Sequence, residues 1–183
     1  MKKSINLAYI IISLTFVFLC AVGTAFTYLS AAYPVKYKTV ICQNAKEVGL
    51  APSLVFAIAR TESNFRANAQ SSRGAVGIMQ LMPETAQFIA KRYGVSFSSL
   101  TNPEANVKLA CLYLVYLKGR FADETTLLCA YNAGEGTVRK WLSDPTCSPN
   151  GITLNRIPYP ETERYVLRVK KFQNKYKKLY HFP

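Results

Sequence analysis

Apolar residues form one unbroken stretch near the start of the chain. No charged residue occurs between Ser4 and Val35, and the segment from Leu7 to Leu29 is mostly apolar. As a helix, it is long enough to cross the hydrocarbon core of a bilayer, which is about 30 Å thick. Two lysines precede it, so the positive-inside rule keeps the short amino end in the cytoplasm. The pattern predicts a single-pass anchor in the cell membrane, with the rest of the chain on the extracytoplasmic side.

A cleaved signal peptide is the alternative to an anchor. Its apolar region is normally about 7–15 residues long, which is shorter than this one, although Ser30-Ala31-Ala32 resembles a small-residue cleavage site. We favour a retained anchor. Residues 1–32 then form a cytoplasmic stub and transmembrane helix, and residues 30–37 contain Pro34 and form a short linker. Residues 33–183 form one domain, large enough to bury a sizeable core.

Beyond the anchor, apolar residues recur at helical spacing and are interrupted by proline and glycine. Prolines in first turns and glycines after last turns mark the limits of helices. No segment shows the regular alternation of apolar and polar residues that is typical of a β-strand. The predicted fold class is therefore all-α. Helices are expected at residues 39–48, 52–64, 83–93, 103–118, 125–131, 137–142 and from 161 onward, with loops at 64–78 and 143–160.

One charged residue interrupts a buried helical stripe. Val55, Ile58, Glu62 and Phe65 follow the spacing of such a stripe, and only Glu62 among them is polar. A carboxyl group in apolar surroundings resists ionisation, so its pKa rises toward the range in which it delivers a proton near neutrality. On this helix alone, the alternative is a structural glutamate paired with a neighbouring arginine, Arg60 or Arg66.

Three further segments have unusual local sequence. Residues 71–84 read Ser-Ser-Arg-Gly-Ala-Val-Gly-Ile-Met-Gln-Leu-Met-Pro-Glu, in which two glycines permit backbone shapes that a side chain blocks. Residues 130–136 read Ala-Tyr-Asn-Ala-Gly-Glu-Gly, where a helix ends on an aromatic and an amide. Residues 157–166 read Ile-Pro-Tyr-Pro-Glu-Thr-Glu-Arg-Tyr-Val and lead into the last helix.

In this order, the segments resemble the motifs of the soluble-type lytic transglycosylases, a family with a lysozyme-like domain that cleaves peptidoglycan. Glu62-Ser63 matches the pair that holds the sole catalytic acid, and Gly77-Ile-Met-Gln80 matches the Gly-Leu-Met-Gln segment. Ala130-Tyr-Asn132 matches the Ala-Tyr-Asn segment of the substrate groove. Residues 158–166 match the last motif, whose tyrosine approaches the catalytic acid and is Tyr165 in this chain.

The resemblance covers residues 40–178 and implies a reaction without water. Glu62 would protonate the oxygen that links N-acetylmuramic acid to N-acetylglucosamine. The resulting carboxylate would take the proton of the C6 hydroxyl as a 1,6-anhydro ring closes. Val76 stands where many members carry serine, which removes one polar group. The expected substrate-binding residues are Ser71, Met79, Gln80, Tyr131, Asn132 and Tyr165.

Each of these binding residues has a structural alternative, either in packing or in bonding to the backbone. The reaction also has alternatives, because glycoside hydrolysis needs two carboxylates. The remaining candidate acids fall at helix starts, where they complement the helix dipole: Glu84, Glu104, Asp123, Glu124 and Glu135. A hydrolytic lysozyme-like muramidase and an inactive, membrane-tethered wall-binding protein therefore stay open.

Charge suggests a second partner besides the peptidoglycan glycan strands. Of the 23 basic residues, two precede the anchor, so 21 basic residues accompany 10 acidic ones in the domain. Seven basic residues and no acidic one occur from Arg164 onward. They form either an ordinary solvated helix face or a surface that attracts phospholipid heads or acidic wall polymers. The export topology and the lack of a binding motif disfavour nucleic acid. We expect a monomer.

The number and spacing of cysteine and histidine residues limit the disulfides, metal sites and catalytic triads that the chain can form. Cys42, Cys111, Cys129 and Cys147 lie outside the anchor, and an even number in an exported domain permits disulfides. We expect at most one, because Cys111 and Cys129 fall on apolar helix faces, where a free thiol packs as a small apolar group. His181 is the only histidine, and the cysteine spacing fits no metal site. A zinc site and a Ser-His-Asp triad are therefore improbable, and no cofactor is expected.

Overall fold

The structure, a computed structural model, describes residues 7–182. The chain divides into two compact units, Met1–Val35 and Lys36–Pro183. The first unit contains helix α1 (Leu7–Ala32), which has no buried residue and is long and apolar enough to cross a membrane. This helix continues through the first three residues of the predicted linker, since nothing in Ser30-Ala31-Ala32 stops a helix. The lysines that carry the orientation prediction, Lys2 and Lys3, lie outside the described residues.

The described part of the second unit, residues 36–182, contains seven helices joined by loops. They are α2 (Lys38–Glu47), α3 (Pro52–Glu62), α4 (Pro83–Tyr93), α5 (Pro103–Lys118), α6 (Glu124–Ala133), α7 (Glu135–Leu142) and α8 (Pro160–Leu179). Extended pairing among the described residues is limited to isolated bridges between Gln70 and Val76 and between Val76 and Leu81. The predicted all-α class is therefore confirmed.

Proline and acidic side chains begin most of these helices. Proline opens α3, α4, α5 and α8, where its missing N–H has no partner to lose. Asn102 caps α5, and both carboxylate oxygens of Asp123 accept backbone N–H groups at the start of α6. Glu84, Glu104, Glu124 and Glu135 lie in first turns, as predicted.

Helix α3 lies in the core, and its residues Ser53–Ala59 are all buried. Helix α8 packs along it and turns Tyr165, Val166, Val169 and Tyr176 inward. Near the end of the chain, the ring of Phe182 stacks on Phe56 with centroids 4.9 Å apart. Helix α5 packs against α2, α4 and α6. Cys111 and Cys129 are buried in this core, as their positions on apolar faces predicted.

Helix α3 ends at Glu62, two residues earlier than the spacing predicted. Asn64 and Phe65 adopt left-handed backbone angles, with φ of 53° and 62°, which reverse the chain. Phe65 is nevertheless buried, because the reversal turns its ring back toward Phe56, 6.1 Å away between centroids. The end of α3 thus places Glu62 at the junction between a buried helix and a loop.

The loop between α3 and α4 is fixed from beneath by a buried amide. Asn106 of α5 accepts a hydrogen bond from the backbone N–H of Met79 at 2.8 Å and donates to the carbonyl of Val76 at 3.0 Å. Gly77 lies directly over this amide with φ of 85°, and a Cβ there would overlap Asn106 and the carbonyl of Leu100. The hydroxyl of Ser63 donates to the carbonyl of Ile78 at 2.7 Å and holds the other side of the loop.

Candidate functional site

Glu62 is the last residue of α3, and its carboxyl group is surrounded by protein although the residue is half-buried. Burial raises its pKa from 4.5 to about 7, while Tyr165 and Arg168 partly oppose the rise. The negative end of the α3 dipole, where Glu62 stands, also disfavours a carboxylate. A carboxyl group with this pKa holds its proton over much of the neutral range and can both donate and accept one.

Tyr165 of α8 reaches toward Glu62 from the core. The residue is 2 % exposed, and its hydroxyl is the one buried side-chain polar atom in residues 7–182 without a hydrogen-bond partner of acceptable geometry. Even so, its proximity lowers the pKa of Glu62. The hydroxyl therefore lies close enough to act on the carboxyl group while its hydrogen bond is not fully formed, as is common in ligand-free active sites.

Tyr131 of α6 approaches Glu62 from a second side. Its hydroxyl donates to the carbonyl of Met79 at 2.8 Å, and burial together with the charge of Glu62 raises its pKa well above 10. Met79 itself is completely buried, so its side chain offers no surface to a sugar and instead supports the loop. The structure thus brings Glu62, Tyr131 and Tyr165 together and places the Met79 side chain below them.

The two remaining predicted residues in the loop are engaged with the backbone. Gln80 has a φ of 48°, and its amide nitrogen donates to the carbonyls of Ala69 and Gly77 at 3.1 and 2.9 Å. The hydroxyl of Ser71 accepts the backbone N–H of Ala75 at 3.0 Å. Both side chains stabilise the loop that forms one wall of the site. Gln80 also lines a cavity, so its amide remains within reach of a ligand.

Asn132 lies at the junction of two neighbouring cavities of about 320 and 250 Å³. Its side-chain oxygen accepts from the hydroxyl of Thr162 at 2.8 Å, and its amide nitrogen donates no hydrogen bond within the described residues. The smaller cavity is also lined by Tyr131 and Gln80, and it shares Tyr113 with a third cavity of about 330 Å³. Each of the three cavities thus shares lining residues with the next, and Tyr131 lines the middle one; together we call them the groove.

The arginines expected as structural partners of Glu62 point elsewhere. Arg60 lies over the ring of Phe172 at 5.7 Å, and the guanidinium of Arg66 donates to the carbonyl of Ser63. The cation that acts on Glu62 is Arg168, one turn beyond Tyr165 on α8. Because no ion pair to Glu62 occurs in residues 7–182, its carboxyl group is not held in the ionised state by a fixed partner.

Three further residues shape this site and were not predicted from the sequence: Asn106, Thr162 and Tyr113. A polar residue beside the apolar stripe of α5 was the available signal for Asn106. No group of three metal-binding side chains occurs in the described part of the chain. The arrangement offers one carboxyl group with a raised pKa, two tyrosine hydroxyls and amides along a groove. These groups suit acid–base chemistry on a polar, extended substrate.

Comparison with known proteins identifies relatives over most of the chain. The family model described as "Transglycosylase SLT domain" matches residues 39–148. A "Soluble lytic murein transglycosylase" of Salmonella typhimurium is 31 % identical over 153 residues, which cover 80 % of this chain and 24 % of the relative. A "Membrane-bound lytic murein transglycosylase C" of Edwardsiella ictaluri is 31 % identical over 169 residues, covering 79 % and 47 %.

A solved structure shares the fold. The crystal structure of the 70 kDa soluble lytic transglycosylase of Escherichia coli superimposes with a TM-score of 0.74 at 32 % identity, covering 85 % of this chain and 26 % of that one. The chain therefore spans about a quarter of the length of its soluble relatives.

Proposed function

The chain belongs to the transglycosylase SLT domain family, and from this premise we propose that it is a lytic transglycosylase of peptidoglycan with Glu62 as its catalytic acid and base. The observation that carries the proposal is the environment of Glu62. Its pKa is raised to about 7 by burial, Tyr131 and Tyr165 lie beside it, and none of the ion pairs within residues 7–182 includes it.

The proposed reaction breaks one bond and forms one without water. The protonated Glu62 gives its proton to the oxygen between N-acetylmuramic acid and N-acetylglucosamine, and the bond from that oxygen to the muramic C1 breaks. The Glu62 carboxylate then takes the proton of the C6 hydroxyl as the C6 oxygen bonds to C1. Both sugars leave, one with a 1,6-anhydro end, and Glu62 is protonated again for the next turnover.

A pKa near 7 suits both halves of this cycle. A lower pKa would leave Glu62 ionised before the first transfer and make its carboxylate a weaker base, whereas a much higher pKa would make the protonated Glu62 a weaker acid. The opposing effects of burial and of Tyr165 set this balance. We propose that the Tyr165 hydroxyl completes its hydrogen bond when Glu62 becomes a carboxylate, which stabilises the intermediate state.

We also propose that Asn132 and Gln80 recognise the acetamido groups of the sugars. Both line the same cavity next to Tyr131, and amides offer a donor and an acceptor to such groups. Tyr131 presents an aromatic surface along this groove, while Ser71 and Met79 act by holding the loop. All of these groups come from one chain, so we propose that it acts as a monomer.

The relation of the domain to the membrane follows from α1. The helix fits membrane association, as does the existence of relatives named as membrane-bound. We propose that α1 is a single-pass anchor in the cell membrane and that the domain acts on the extracytoplasmic side, where peptidoglycan lies.

Mass spectrometry of the products tests the reaction and its acid together. The full chain in a non-ionic detergent is incubated with purified peptidoglycan, beside Glu62→Gln and the control Glu104→Gln. Glu104 is exposed in the first turn of α5. We expect 1,6-anhydro ends from the unaltered chain and from the control, and none from Glu62→Gln.

Two other results are informative. Products heavier by one water would make the chain a hydrolytic muramidase that uses a second carboxylate. Bound peptidoglycan without products from any of the three proteins would indicate a wall-binding protein. Either result would contradict the proposal.

A further inference from the structure

The exposed side of α8 carries a row of cations that the proposed reaction does not use. Arg164, Arg168, Lys171, Lys175 and Lys178 are all exposed and follow one another by alternating steps of four and three residues. On a helix, such steps keep side chains on one face. At 1.5 Å per residue, the row is about 21 Å long. We call these five residues the cationic stripe.

The charge of the cationic stripe is not neutralised within the fold. None of the ion pairs in residues 7–182 includes one of its members. The acidic residues of α8, Glu161 and Glu163, are confined to its first turn. Lys170 differs from the residues of the cationic stripe, because it lies nearer the core and donates to the hydroxyl of Thr125. The stripe therefore presents a field of one sign to the solvent.

Packing of α8 does not require these cations. Its inner face is formed by Tyr165, Val166, Val169 and Tyr176, all buried, and this face accounts for the attachment of the helix to α3. A surface kept only for solubility usually mixes both signs of charge. Five aligned cations repel one another, and an anionic ligand relieves that repulsion.

The shape of the cationic stripe favours a linear ligand over a flat one. A helix that binds a bilayer surface turns an apolar face toward the lipid, but the apolar face of α8 is buried in the core. Leu167 is the one large apolar side chain of α8 that is fully exposed. A single row of point charges matches a chain of evenly spaced anions. The amino end of the row is near Glu62, because Arg168, its second member, is close enough to lower the pKa of that carboxyl group.

We propose that the cationic stripe binds a linear polymer of phosphodiesters, which is the chemistry of acidic cell-wall polymers. Arginine contacts phosphate through two parallel hydrogen bonds and lysine contacts it as a point charge, and the stripe contains both. A polymer bound in this way lies along α8 and ends near the groove. The enzyme would thus be concentrated where such polymers accompany the glycan strands.

Binding of labelled poly(glycerol phosphate) to the full chain in a non-ionic detergent tests this proposal. The stripe variant combines Lys171→Gln, Lys175→Gln and Lys178→Gln. The control variant combines Lys46→Gln, Lys91→Gln and Lys108→Gln, three exposed lysines elsewhere in the domain that carry the same total charge. At about 50 mM salt we expect the stripe variant to lose at least tenfold in affinity and the control less than twofold, with a weaker salt dependence for the stripe variant alone.

Two results would overturn the proposal. Equal losses in both variants would mean that net charge, and not the stripe, attracts the polymer. Displacement of the polymer by mixed micelles of phosphatidylglycerol at equal phosphate concentration would make lipid head groups the ligand. Glu62→Gln should bind the polymer as tightly as the unaltered chain, so this test is independent of the proposed reaction.

Discussion

Glu62 has a different affinity for protons in the folded and unfolded chain, and this difference affects stability. Below about pH 4.5 both states hold the proton, so the carboxyl group has no effect. Between about pH 4.5 and 7 the unfolded chain loses its proton first, and the folded state loses stability as pH rises. The rise of the pKa of Glu62 from 4.5 to about 7 corresponds to about 3 kcal/mol of lost stability above pH 7.

Replacing Glu62 with glutamine should therefore stabilise the domain in a pH-dependent way. We expect Glu62→Gln to unfold several degrees above the unaltered chain at pH 8, and at the same temperature at pH 4. Thermal unfolding followed by the fluorescence of Trp141 measures the difference. Glu104→Gln provides the control, and a Glu62→Gln variant whose unfolding temperature differs from that of the unaltered chain by the same amount at pH 4 and pH 8 would contradict the assigned burial.

The hydroxyl of Tyr165 lowers the pKa of Glu62, whereas burial raises it. Because its hydroxyl lowers the pKa of Glu62, Tyr165→Phe should raise that pKa above about 7 and move the alkaline limb of kcat/KM to higher pH. Loss of one hydrogen bond to a charged group should reduce kcat/KM about 10–100-fold. Stability should change little, since the buried hydroxyl has no partner of good geometry.

A pH profile distinguishes this role from simple packing. Tyr176→Phe removes another buried hydroxyl from α8, three turns away, and should leave the alkaline limb in place. If Tyr165→Phe lowers activity without moving the alkaline limb of kcat/KM, the hydroxyl contacts the substrate or packs in the core. It then does not set the pKa of Glu62.

At the residue scale, the burial of the Glu62 carboxyl group was easier to predict from the sequence than the orientation of its neighbours. Glu62 was recognisable because a single carboxyl group interrupted an apolar spacing. The orientation of Met79 and Gln80 was not recognisable, because it depends on the left-handed reversal at Asn64 and Phe65 and on Asn106, which lies 27 positions beyond Met79. Local pattern contains no information about such distant contacts.

At the scale of elements, the loop between α3 and α4 depends on one close approach. Gly77→Ala should cost about 3–5 kcal/mol, since it adds both left-handed strain and an overlap with Asn106 and Leu100. Gly74→Ala is the matched control. Gly74 has a similar φ of 88° but open space around it, so it should cost only about 1–2 kcal/mol.

Activity and thermal unfolding together test this difference. Gly77→Ala should lose activity even at temperatures where it remains folded, because the loop carries the carbonyl that holds Tyr131. Similar behaviour of the two variants would mean that the backbone angle alone, and not the contact with Asn106, determines the cost.

The limits of the helices were largely predictable for a simple reason. Proline at the first turn and glycine after the last turn act locally, so α4 and α5 begin and end as the sequence predicted. Helix α6 extends two residues further, to Ala133, and α7 follows after Gly134 alone. The turn between them is Gly134 alone, at φ 88° and ψ 145°, a conformation that glycine adopts far more readily than other residues.

At the scale of the whole molecule, an anchor and a cleaved signal peptide predict different masses. We expect the protein extracted from cell membranes to have the mass of the full chain. A chain that starts at residue 36 and carries a cleavable export signal should be soluble after export and should unfold at the same temperature as the full domain. A mature protein that lacks residues 1–32 would show instead that α1 is removed.

The buried cysteines have a consequence for the chemical durability of the domain. All five thiols are free, and burial raises the pKa of Cys111 and Cys129 to about 12. Peroxides and disulfide reagents attack the thiolate, which is almost absent at such pKa values. Oxidants should therefore modify Cys111 and Cys129 slowly, and the core around these two residues should not need a reductant to survive. It should retain its shape whether the surrounding medium is aerobic or anoxic.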